Sequence, residues 1–333
     1  MTHYSVFGKP VLHSKSPQLF RTLLKAGDVF TRIRPQTADD LISIVKLLDI
    51  KGASVTSPFK ESILPLLDQV SASARVIGAV NCIRFKNGAI SGHNTDHVGV
   101  TAALSEAGIT LPEARILVLG AGGAARAAVY GLTTSGAEVF VSNRTYSKAE
   151  NLARTFGTVH IHWENPGIMP YFDAVVSTLL PGALPPFAGY LAYGQLLDAV
   201  YKRSKMSEHS RNRGVRIIPG ERWLIHQGVA AAAFYIAQPD EKHAPSSARN
   251  NDPVDNTTHK AATDDKTKAW AELLGSRLHE VLRPENVRIF VLNETTIPEP
   301  DPAGYDLIVS GFGLDEEAVK NIIDEEMRLA FSR

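Results

Sequence analysis

Apolar runs that suit buried strands alternate with segments of helical period along the first part of the chain. The pattern predicts strands at residues 4–7, 29–33 and 52–56 and helices at residues 17–26, 38–48 and 58–67. Leu41, Ile44 and Val45, for example, recur at the spacing of one helix face. Strands that alternate with helices predict a mainly parallel sheet, and therefore an α/β fold.

The same alternation restarts at Arg115 and predicts a second unit. Its expected strands are residues 116–119, 138–142, 172–177 and 195–200, and its expected helices are residues 124–135 and 148–156. An alanine-rich helix is expected at residues 228–237. We place the break between the units near Gly99, which gives a first domain of residues 1–98 and a second of residues 99–220.

The composition changes between residues 238 and 267, where no aromatic residue occurs and Val254 is the only branched aliphatic. Such a segment buries too little apolar surface to offset the entropy lost on ordering, and it is predicted to be a disordered linker. Residues 268–333 are predicted to form a C-terminal helix, at residues 270–282, and a small appendage. The appendage comprises strands at residues 287–292 and 307–310 and a helix at residues 316–331.

The overall composition is that of an ordinary globular protein, with 44% hydrophobic and 21% charged residues among 333. The 35 basic and 35 acidic residues cancel, so no global charge attracts nucleic acid or an anionic membrane. Cys82 is the only cysteine, and neither a signal peptide nor a bilayer-spanning apolar run is visible. We therefore expect a cytoplasmic protein with no nucleic-acid or membrane partner.

A glycine-rich turn follows the first strand of the second unit and precedes a predicted helix. Gly120 and Gly122, with Ala125 at the third position, fit the dinucleotide-binding fingerprint in the context that this motif requires. Gly122 allows the backbone to approach a pyrophosphate, which the helix N-terminus faces. The predicted cofactor contacts here are Gly120, Ala121, Gly122, Gly123 and Ala124. The alternative is a turn with a structural role alone.

The end of the next strand favours NADP over NAD. An NAD site places an acidic residue there to bind the ribose 2′-hydroxyl, and this chain has none. The residues in its place are Asn143, Arg144 and Thr145, with Lys148 one turn later. Arg144 can stack on adenine and pair with a 2′-phosphate, while Thr145 and Lys148 can add donors. The alternative is a solvated basic turn.

Two short segments of the first unit supply a lysine and an aspartate at strand ends. Lys60 lies about three residues into a helix that is predicted to have Ser57 as its N-cap and Pro58 as its first residue. A lysine and Asp96 beside a nicotinamide suit a carbonyl–alcohol interconversion, in which one group moves the proton and the cofactor moves the hydride. The alternatives are an exposed lysine and an aspartate that only caps a helix starting near His97.

Ser14 and Ser16 flank Lys15 after the first strand, next to a helix that is predicted to begin at Pro17. Two hydroxyls at a helix N-terminus can bind a carboxylate. The alternative is that Ser16 only caps the helix.

Together these motifs resemble the shikimate dehydrogenase family over roughly residues 4–237. The matching segments are His13-Ser14-Lys15-Ser16-Pro17, Val55-Thr56-Ser57-Pro58-Phe59-Lys60, Gly78-Ala79-Val80-Asn81, Asn94-Thr95-Asp96, Asn143-Arg144-Thr145, Asp198-Ala199-Val200-Tyr201 and Gln227. The resemblance implies an N-terminal α/β domain that binds substrate and a Rossmann domain that binds NADP. It also implies that the helix within residues 221–237 returns to the first domain.

The function implied by the resemblance is the NADP-dependent, reversible reduction of 3-dehydroshikimate to shikimate, on the route to chorismate and aromatic amino acids. Lys60, coupled to Asp96, would give a proton to the developing alkoxide. The implied substrate contacts are Ser14 and Ser16 for the carboxylate, Thr56, Asn81, Asp96 and Gln227 for the ring hydroxyls, and Tyr201 as a further contact.

The chain departs from the family pattern in several segments. Residues 177–182 make the wall near the nicotinamide more apolar, and Glu221-Arg222-Trp223-Leu224 replaces a turn of small residues and methionine. Residues 202–216 are basic and polar, and without interleaved aromatic residues they favour a solvated loop over a nucleic-acid patch. The linker and the appendage lie outside the usual family length.

Other functions stay open at this level. One is a quinate/shikimate dehydrogenase of broader specificity, and another is a non-catalytic sensor of shikimate-pathway compounds, against which the intact Lys60 and Asp96 count. A third is that the chain is fused or docked to another pathway enzyme. His13, His93 and His97 match no metal-ligand spacing, so no metal site is predicted.

Overall fold

The computed structural model describes residues 1–201, 203–236, 287–292, 306–310 and 314–331, and of residues 290–292 it describes the backbone only. Within these ranges the chain forms two β-sheets with helices packed against them, which confirms the predicted α/β fold. The predicted linker at residues 238–267 and the predicted helix at residues 270–282 lie outside the described residues.

Six strands of the first sheet come from the part of the chain before Asp96. They are β1 (His3–Phe7), β2 (Val29–Arg34), β3 (Gly52–Val55), β4 (Gln69–Val70), β5 (Cys82–Lys86) and β6 (Ala89–His93). The helices between them are α1 (Ser16–Leu23), α2 (Ala38–Leu47), α3 (Phe59–Ser62) and α4 (Ala72–Ile77), with a 3-10 helix at Leu64–Leu66. β1 lies between β2 and β3, parallel to both, and the largely buried pattern of these strands suits a sheet covered on both faces.

The second sheet is parallel throughout the described residues. Its strands are β7 (Arg115–Leu119), β8 (Glu138–Ser142), β9 (Val159–His160), β10 (Phe172–Ser177), β11 (Tyr193–Asp198) and β12 (Arg216–Pro219), in the order β12-β11-β10-β7-β8-β9. The helices are α5 (Asp96–Glu106), α6 (Gly123–Thr134), α7 (Tyr146–Phe156), α8 (Lys205–Asn212) and α9 (Gly220–Ile236), with a 3-10 helix at Pro186–Tyr190. The strand order reverses between β7 and β10, so their carboxyl ends form a crevice.

Helices α5 and α9 join the two sheets, and glycines allow them to pack closely. A Cβ on Gly99 of α5 would lie 2.6 Å from Trp223 Cδ1 of α9. On its other side α5 packs against α6, where a Cβ on Gly131 would lie 2.7 Å from the carbonyl oxygen of His97. The two close packings fix α5, and with it Asp96 at its first position, between the two units.

The predicted C-terminal appendage is part of the first sheet. β13 (Ile289–Leu292) pairs in parallel with β14 (Leu307–Ser310), and β14 pairs in parallel with β2. In the described residues this sheet therefore has eight strands, in the order β13-β14-β2-β1-β3-β5-β6-β4. α10 (Glu316–Phe331) packs on the apolar cluster formed by β1, α1 and α9. The predicted strand, strand and helix are therefore present, and the sequence pattern did not show that they extend the first sheet, because a local pattern does not identify the distant strand with which an edge pairs.

The structure corrects several predicted helix starts, of which that of α9 moves from residue 228 to Gly220 and three others concern site residues. α1 has Lys15 at its N-cap position and α3 has Pro58 there, so neither serine predicted as an N-cap serves as one. α3 has four residues rather than ten, because the following segment carries Pro65 and turns into a 3-10 helix. α5 begins at Asp96 itself, with Thr95 at the N-cap position.

The basic segment that is predicted to be a solvated loop instead forms α8 and β12 over most of residues 203–216. Ser204 caps α8 by accepting a hydrogen bond from the Ser207 N–H at 2.9 Å, and Ser207 and Ser210 are buried. Hydrogen bonds of short serine side chains stabilise this segment where the apolar pattern is weak. A hydrophobic pattern alone does not reveal such stabilisation.

Candidate active site

One cavity of 210 Å³ is lined by residues from both units. Every residue that the sequence assigns to catalysis or substrate binding lies on its wall: Ser14, Ser16, Thr56, Lys60, Asn81, Asp96, Tyr201 and Gln227. The wall also contains Val6, Val11 and Ser54, which sequence reasoning missed. The structure therefore brings all the predicted substrate residues to one place.

Strand ends position the first of these side chains. Ser14 and Ser16 follow β1, and Thr56 follows β3, the parallel neighbour of β1. The carboxyl ends of neighbouring parallel strands meet at one edge of a sheet, and β1 to β3 form the point where the strand order reverses. Such switch points are where open α/β sheets bind ligands.

Ser14 and Ser16 form a hydroxyl pair at the start of α1. Ser14 Oγ donates to Ser16 Oγ at 3.1 Å, and the backbone N–H of Ser16 donates to Ser14 Oγ at 3.3 Å. Lys15 holds the N-cap position and Ser16 is the first residue of α1, so the alternative in which Ser16 only caps the helix is wrong. Two hydroxyls at the positive end of a helix can bind a carboxylate.

Lys60 and Asp96 form an ion pair, with 2.5 Å between Nζ and Oδ2. The Lys60 side chain is 18% exposed and that of Asp96 is 9% exposed, so solvent and salt screen their attraction only weakly. The Asp96 N–H donates to Asn94 Oδ1 at 3.0 Å, and the Asp96 carbonyl oxygen accepts from Trp223 Nε1 at 2.9 Å. These backbone bonds fix the aspartate in front of the lysine.

The side-chain amide of Asn81 connects Asp96 to Gln227. Asn81 Nδ2 lies 3.0 Å from Asp96 Oδ1, 2.9 Å from Thr95 Oγ1 and 3.0 Å from Gln227 Oε1. Its Oδ1 accepts from the Thr95 N–H at 2.8 Å, which sets the orientation of the amide. Two amide hydrogens face three acceptors, so a ligand hydroxyl can take the place of one acceptor without leaving a donor unsatisfied.

Tyr201 forms part of the cavity wall on the side of the second unit, where Lys15 Nζ lies 5.6 Å from the centroid of its ring. Desolvation, together with the negative charges of Asp96 and Glu221, raises the pKa of Tyr201 above its ordinary value. The phenol is therefore neutral near pH 7 and can donate a hydrogen bond to a ligand.

The glycine turn has the shape that a dinucleotide needs. Gly120 has a φ of +117°, and a Cβ there would collide with Thr178 Oγ1. Gly122 is the N-cap residue of α6, and a Cβ there would meet no heavy atom within 4 Å. The open approach beside Gly122 and the unpaired N–H groups of the first turn of α6, which begins at Gly123, fit a pyrophosphate.

The segment after β8 fits a 2′-phosphate better than a bare hydroxyl. Asn143 Nδ2 donates to the carbonyl oxygen of Thr145 at 3.1 Å, and the first turn of α7 contains no acidic residue. Arg144 and Lys148 are exposed at the start of this helix. Lys148 also lines a cavity of 170 Å³ with Ala121 and Gly122, so its charge lies beside the glycine turn.

The ion pair lies next to the end of the glycine turn. A Cβ on Gly123 would lie 3.6 Å from Lys60 Cδ, and the next residue of the turn, Ala124, lines the cavity together with Lys60 and Asp96. A dinucleotide held on the turn would therefore lie beside the pair. This arrangement suits a proton transfer and a hydride transfer at one carbon–oxygen bond.

Asp198 belongs to one of the family-like segments but does not line the cavity. Its carboxylate accepts from Ser204 Oγ and, at 2.5 Å, from Ser207 Oγ. Asp198 therefore holds the start of α8 rather than a ligand. The spacing of Asp198, Ser204 and Ser207 in the sequence does not predict this role.

Among the described residues, no three or more His, Cys, Asp or Glu side chains are grouped so that they could hold a metal ion. No described helix has both the length and the apolar character that a bilayer crossing requires.

The chain is similar to known proteins over both units. Residues 6–83 match the family model of the shikimate dehydrogenase substrate binding domain, and residues 102–178 match that of shikimate / quinate 5-dehydrogenase. A curated relative from Aquifex aeolicus named shikimate dehydrogenase (NADP(+)) is 35% identical over 239 residues, covering 68% of this chain and 88% of the relative.

Two solved structures share the fold. A Thermus thermophilus shikimate 5-dehydrogenase in complex with NADP(H) and shikimate has a TM-score of 0.64 at 30% identity, covering 71% of this chain and 94% of that one. The dehydroquinate dehydratase and shikimate dehydrogenase from S. pombe has a TM-score of 0.60 at 28% identity, covering 71% of this chain and 50% of that one. Because a relative with more than 30% identity aligns over two thirds of this chain and most of its own length, the chain belongs to the shikimate dehydrogenase family.

Proposed function

We propose that this protein catalyses the NADP-dependent, reversible reduction of 3-dehydroshikimate to shikimate, in the pathway to chorismate and aromatic amino acids. The observation that carries the proposal is that the Lys60–Asp96 pair, at 2.5 Å, lies in one cavity with Ala124 and next to Gly123 of the glycine turn. The curated relatives named shikimate dehydrogenase (NADP(+)) support the same reaction.

Lys60 is the proposed acid and base. Its Nζ gives a proton to the ketone oxygen as that oxygen becomes an alcohol, and in the reverse direction it takes the proton from the hydroxyl. Asp96 holds the ammonium through the ion pair and accepts a hydrogen bond from the neighbouring hydroxyl of the substrate. Because Asn81 donates to the other carboxylate oxygen of Asp96 at 3.0 Å, both oxygens have fixed partners.

The remaining cavity residues are proposed to bind and orient the substrate. Ser14 and Ser16 donate to its carboxylate, while Thr56, Asn81 and Gln227 bind ring hydroxyls. Tyr201, with its neutral phenol, is a further donor. Fixing a carboxylate at one end of the ring and hydroxyls at the other leaves one orientation of the ring relative to Lys60, which lowers the entropic part of the barrier.

NADPH, when bound, supplies the hydride for this reaction. The residues proposed to hold it are Gly120, Ala121, Gly122, Gly123 and Ala124 for the pyrophosphate, and Asn143, Arg144, Thr145 and Lys148 for the adenosine 2′-phosphate. The open space at Gly122 and the lack of an acidic residue after β8 support this assignment. The proposed domains are residues 1–98 for substrate and 99–220 for NADP, with residues 221–237 returning to the first.

Two further assignments accompany this function. We place the enzyme in the cytoplasm, because its single cysteine, Cys82, is buried and unpaired, which suits a reducing compartment. Association or fusion with another enzyme of the pathway is suggested by the S. pombe protein, which combines a dehydroquinate dehydratase with a shikimate dehydrogenase.

The test is a steady-state assay of cofactor reduction that crosses shikimate and quinate with NADP and NAD. Turnover with shikimate and NADP, and little with the other three combinations, is the expected result. Comparable turnover of quinate would instead indicate the broader quinate/shikimate activity. Binding of shikimate without turnover in any combination would indicate a sensor and overturn the proposal.

A further inference from the structure

Helix α10 buries one carboxylate against the loop that leads to the two cavity serines. Glu326 is fully buried, and its Oε2 accepts hydrogen bonds from the backbone N–H groups of Val11 and Leu12, both at 2.9 Å. These residues directly precede His13 and Ser14, and Val11 itself lines the cavity. A side chain of the last described helix therefore holds the backbone of the substrate loop.

Arg34, at the end of β2, compensates the buried charge. Its Nε lies 2.8 Å from Glu326 Oε1, and its Nη2 lies 2.7 Å from Glu325 Oε2. The Arg34 side chain is 2% exposed and that of Glu326 is 0% exposed, whereas that of Glu325 is 47% exposed. Because a buried carboxylate without a partner is strongly unfavourable, this pairing is what allows Glu326 to reach the loop.

The same loop is held from a second direction by Arg32. Its Nε and Nη2 donate to the carbonyl oxygen of Ser14 at 3.0 and 2.8 Å, and its Nη1 lies 3.5 Å from the carbonyl oxygen of Asp306, just before β14. Both N–H groups at the start of the loop and the carbonyl of Ser14 are thus bonded to buried charged side chains. The C-terminal segment supplies Glu326 and contacts Arg34 and Arg32.

We propose that Glu326 is a positioning residue of the substrate site. It fixes the backbone of residues 11–16 so that the Ser14 and Ser16 hydroxyls converge on the substrate carboxylate. The C-terminal strands and α10, which lie outside the residues that the two family models match, then form part of the active-site support. This inference rests on the proposed function, in which these serines bind the carboxylate.

The first test compares Glu326→Gln with Glu325→Gln, which removes the same charge from the neighbouring, exposed position of the same helix. In Glu326→Gln we expect the KM for shikimate to rise roughly 10- to 100-fold, because one buried charged hydrogen-bond network is lost. The kcat should change less than the KM, and the KM for NADP should stay within about twofold. Glu325→Gln should change no constant by more than about twofold.

A second test separates positioning from a general loss of structure. For a shikimate analogue whose carboxylate is replaced by a neutral hydroxymethyl group, Glu326→Gln should cost nothing relative to the wild type. Ser16→Ala should likewise add little to the KM increase in the double variant, because both changes act on the same contact. Equal losses for both ligands and for NADP, or full additivity with Ser16→Ala, would overturn the positioning role.

Glu326→Asp keeps the charge and serves if Glu326→Gln does not fold. Its KM for shikimate should be higher than that of the wild type and of Glu325→Gln, and lower than that of Ser16→Ala. If neither variant folds, Glu326 holds the fold rather than the loop, and the inference fails. Absence of turnover in the wild type would count against the proposed function alone. In that case the same comparisons are made on the Kd of shikimate, measured by calorimetry.

Discussion

Lys15 and Glu221 form an ion pair that joins the serine loop to the first turn of α9, with 2.8 Å between Nζ and Oε1. Ser14, Ser16 and Gly220, their neighbours in the sequence, line the cavity. The pair therefore ties one side of the proposed carboxylate site to the helix that carries Gln227. Its two residues are separated by 206 positions, so no local pattern predicts the contact.

Glu221→Gln should lower the KM for shikimate about two- to fivefold, because it removes a negative charge beside the carboxylate site and leaves the Lys15 charge to the substrate. Both side chains are about a quarter exposed, so the change in the free energy of unfolding should stay below about 1 kcal/mol. The measurement is the KM at low and high salt, since the effect should shrink as salt screens the charges. A higher KM in the variant would show that the ion pair orients the loop instead.

Lys60→Met should lower kcat by about 10²- to 10⁴-fold with a modest change in the KM for shikimate, because it removes the proton transfer and keeps the length of the side chain. The measurement is kcat and KM in both directions of the reaction. The control is Lys46→Met, on the exposed face of α2, which should leave both constants unchanged. Turnover like that of the wild type in Lys60→Met would rule out Lys60 as the acid and base.

Arg144→Ala should weaken NADPH binding about 10- to 100-fold and NADH binding far less, because both cofactors carry the adenine but only NADPH carries the 2′-phosphate. The two Kd values can be read from the fluorescence of the reduced cofactors. Arg154→Ala, an exposed arginine near the other end of α7, is the matched control. Equal losses for the two cofactors would contradict the clamp.

The sequence predicts much of the fold, because strands and most helices carry local signals. β8, β10, β14 and α10 have the predicted bounds, since each is an apolar or amphipathic run with clear breaks at its ends. The helix after β3 is predicted too long, because the apolar residues around Pro65 continue the helical pattern beyond the point where this proline breaks the helix. The site residues meet in one cavity because most of them follow strands of parallel sheets, a rule that needs no coordinates.

Contacts that depend on packing between distant segments were beyond sequence reasoning. Glu326 lies in a helix rich in charged residues, and nothing in its spacing separates it from the exposed Glu325. The hydrogen bond from Trp223 to the carbonyl oxygen of Asp96 likewise depends on how α5 and α9 cross. From the sequence, the segment around Trp223 is recognisable only as a departure from the family pattern, and this contact is not predicted. In both cases the partner of a side chain is set by tertiary packing and carries no local signature.

His3 should make the protein less stable as the pH falls from about 6.5 to about 4. Burial lowers the pKa of His3 to about 4, while a hydrogen bond involving the Leu48 backbone opposes this shift. In the unfolded chain the imidazole takes up its proton near pH 6.5, so in this range the unfolded state binds more protons and the free energy of unfolding decreases with falling pH. Below about pH 4 both states are protonated and the contribution stops changing.

The full effect of His3 on the free energy of unfolding should be about 3 kcal/mol. The measurement is urea denaturation at several pH values between 7 and 4, with His3→Gln as the comparison. Glutamine can still donate a hydrogen bond to Thr31 Oγ1, which lies 2.8 Å from His3 Nε2, but it does not titrate. The difference between the two proteins should therefore change over this range, with the wild type losing more stability than the variant. Parallel pH profiles would show that another group causes the loss of stability in acid.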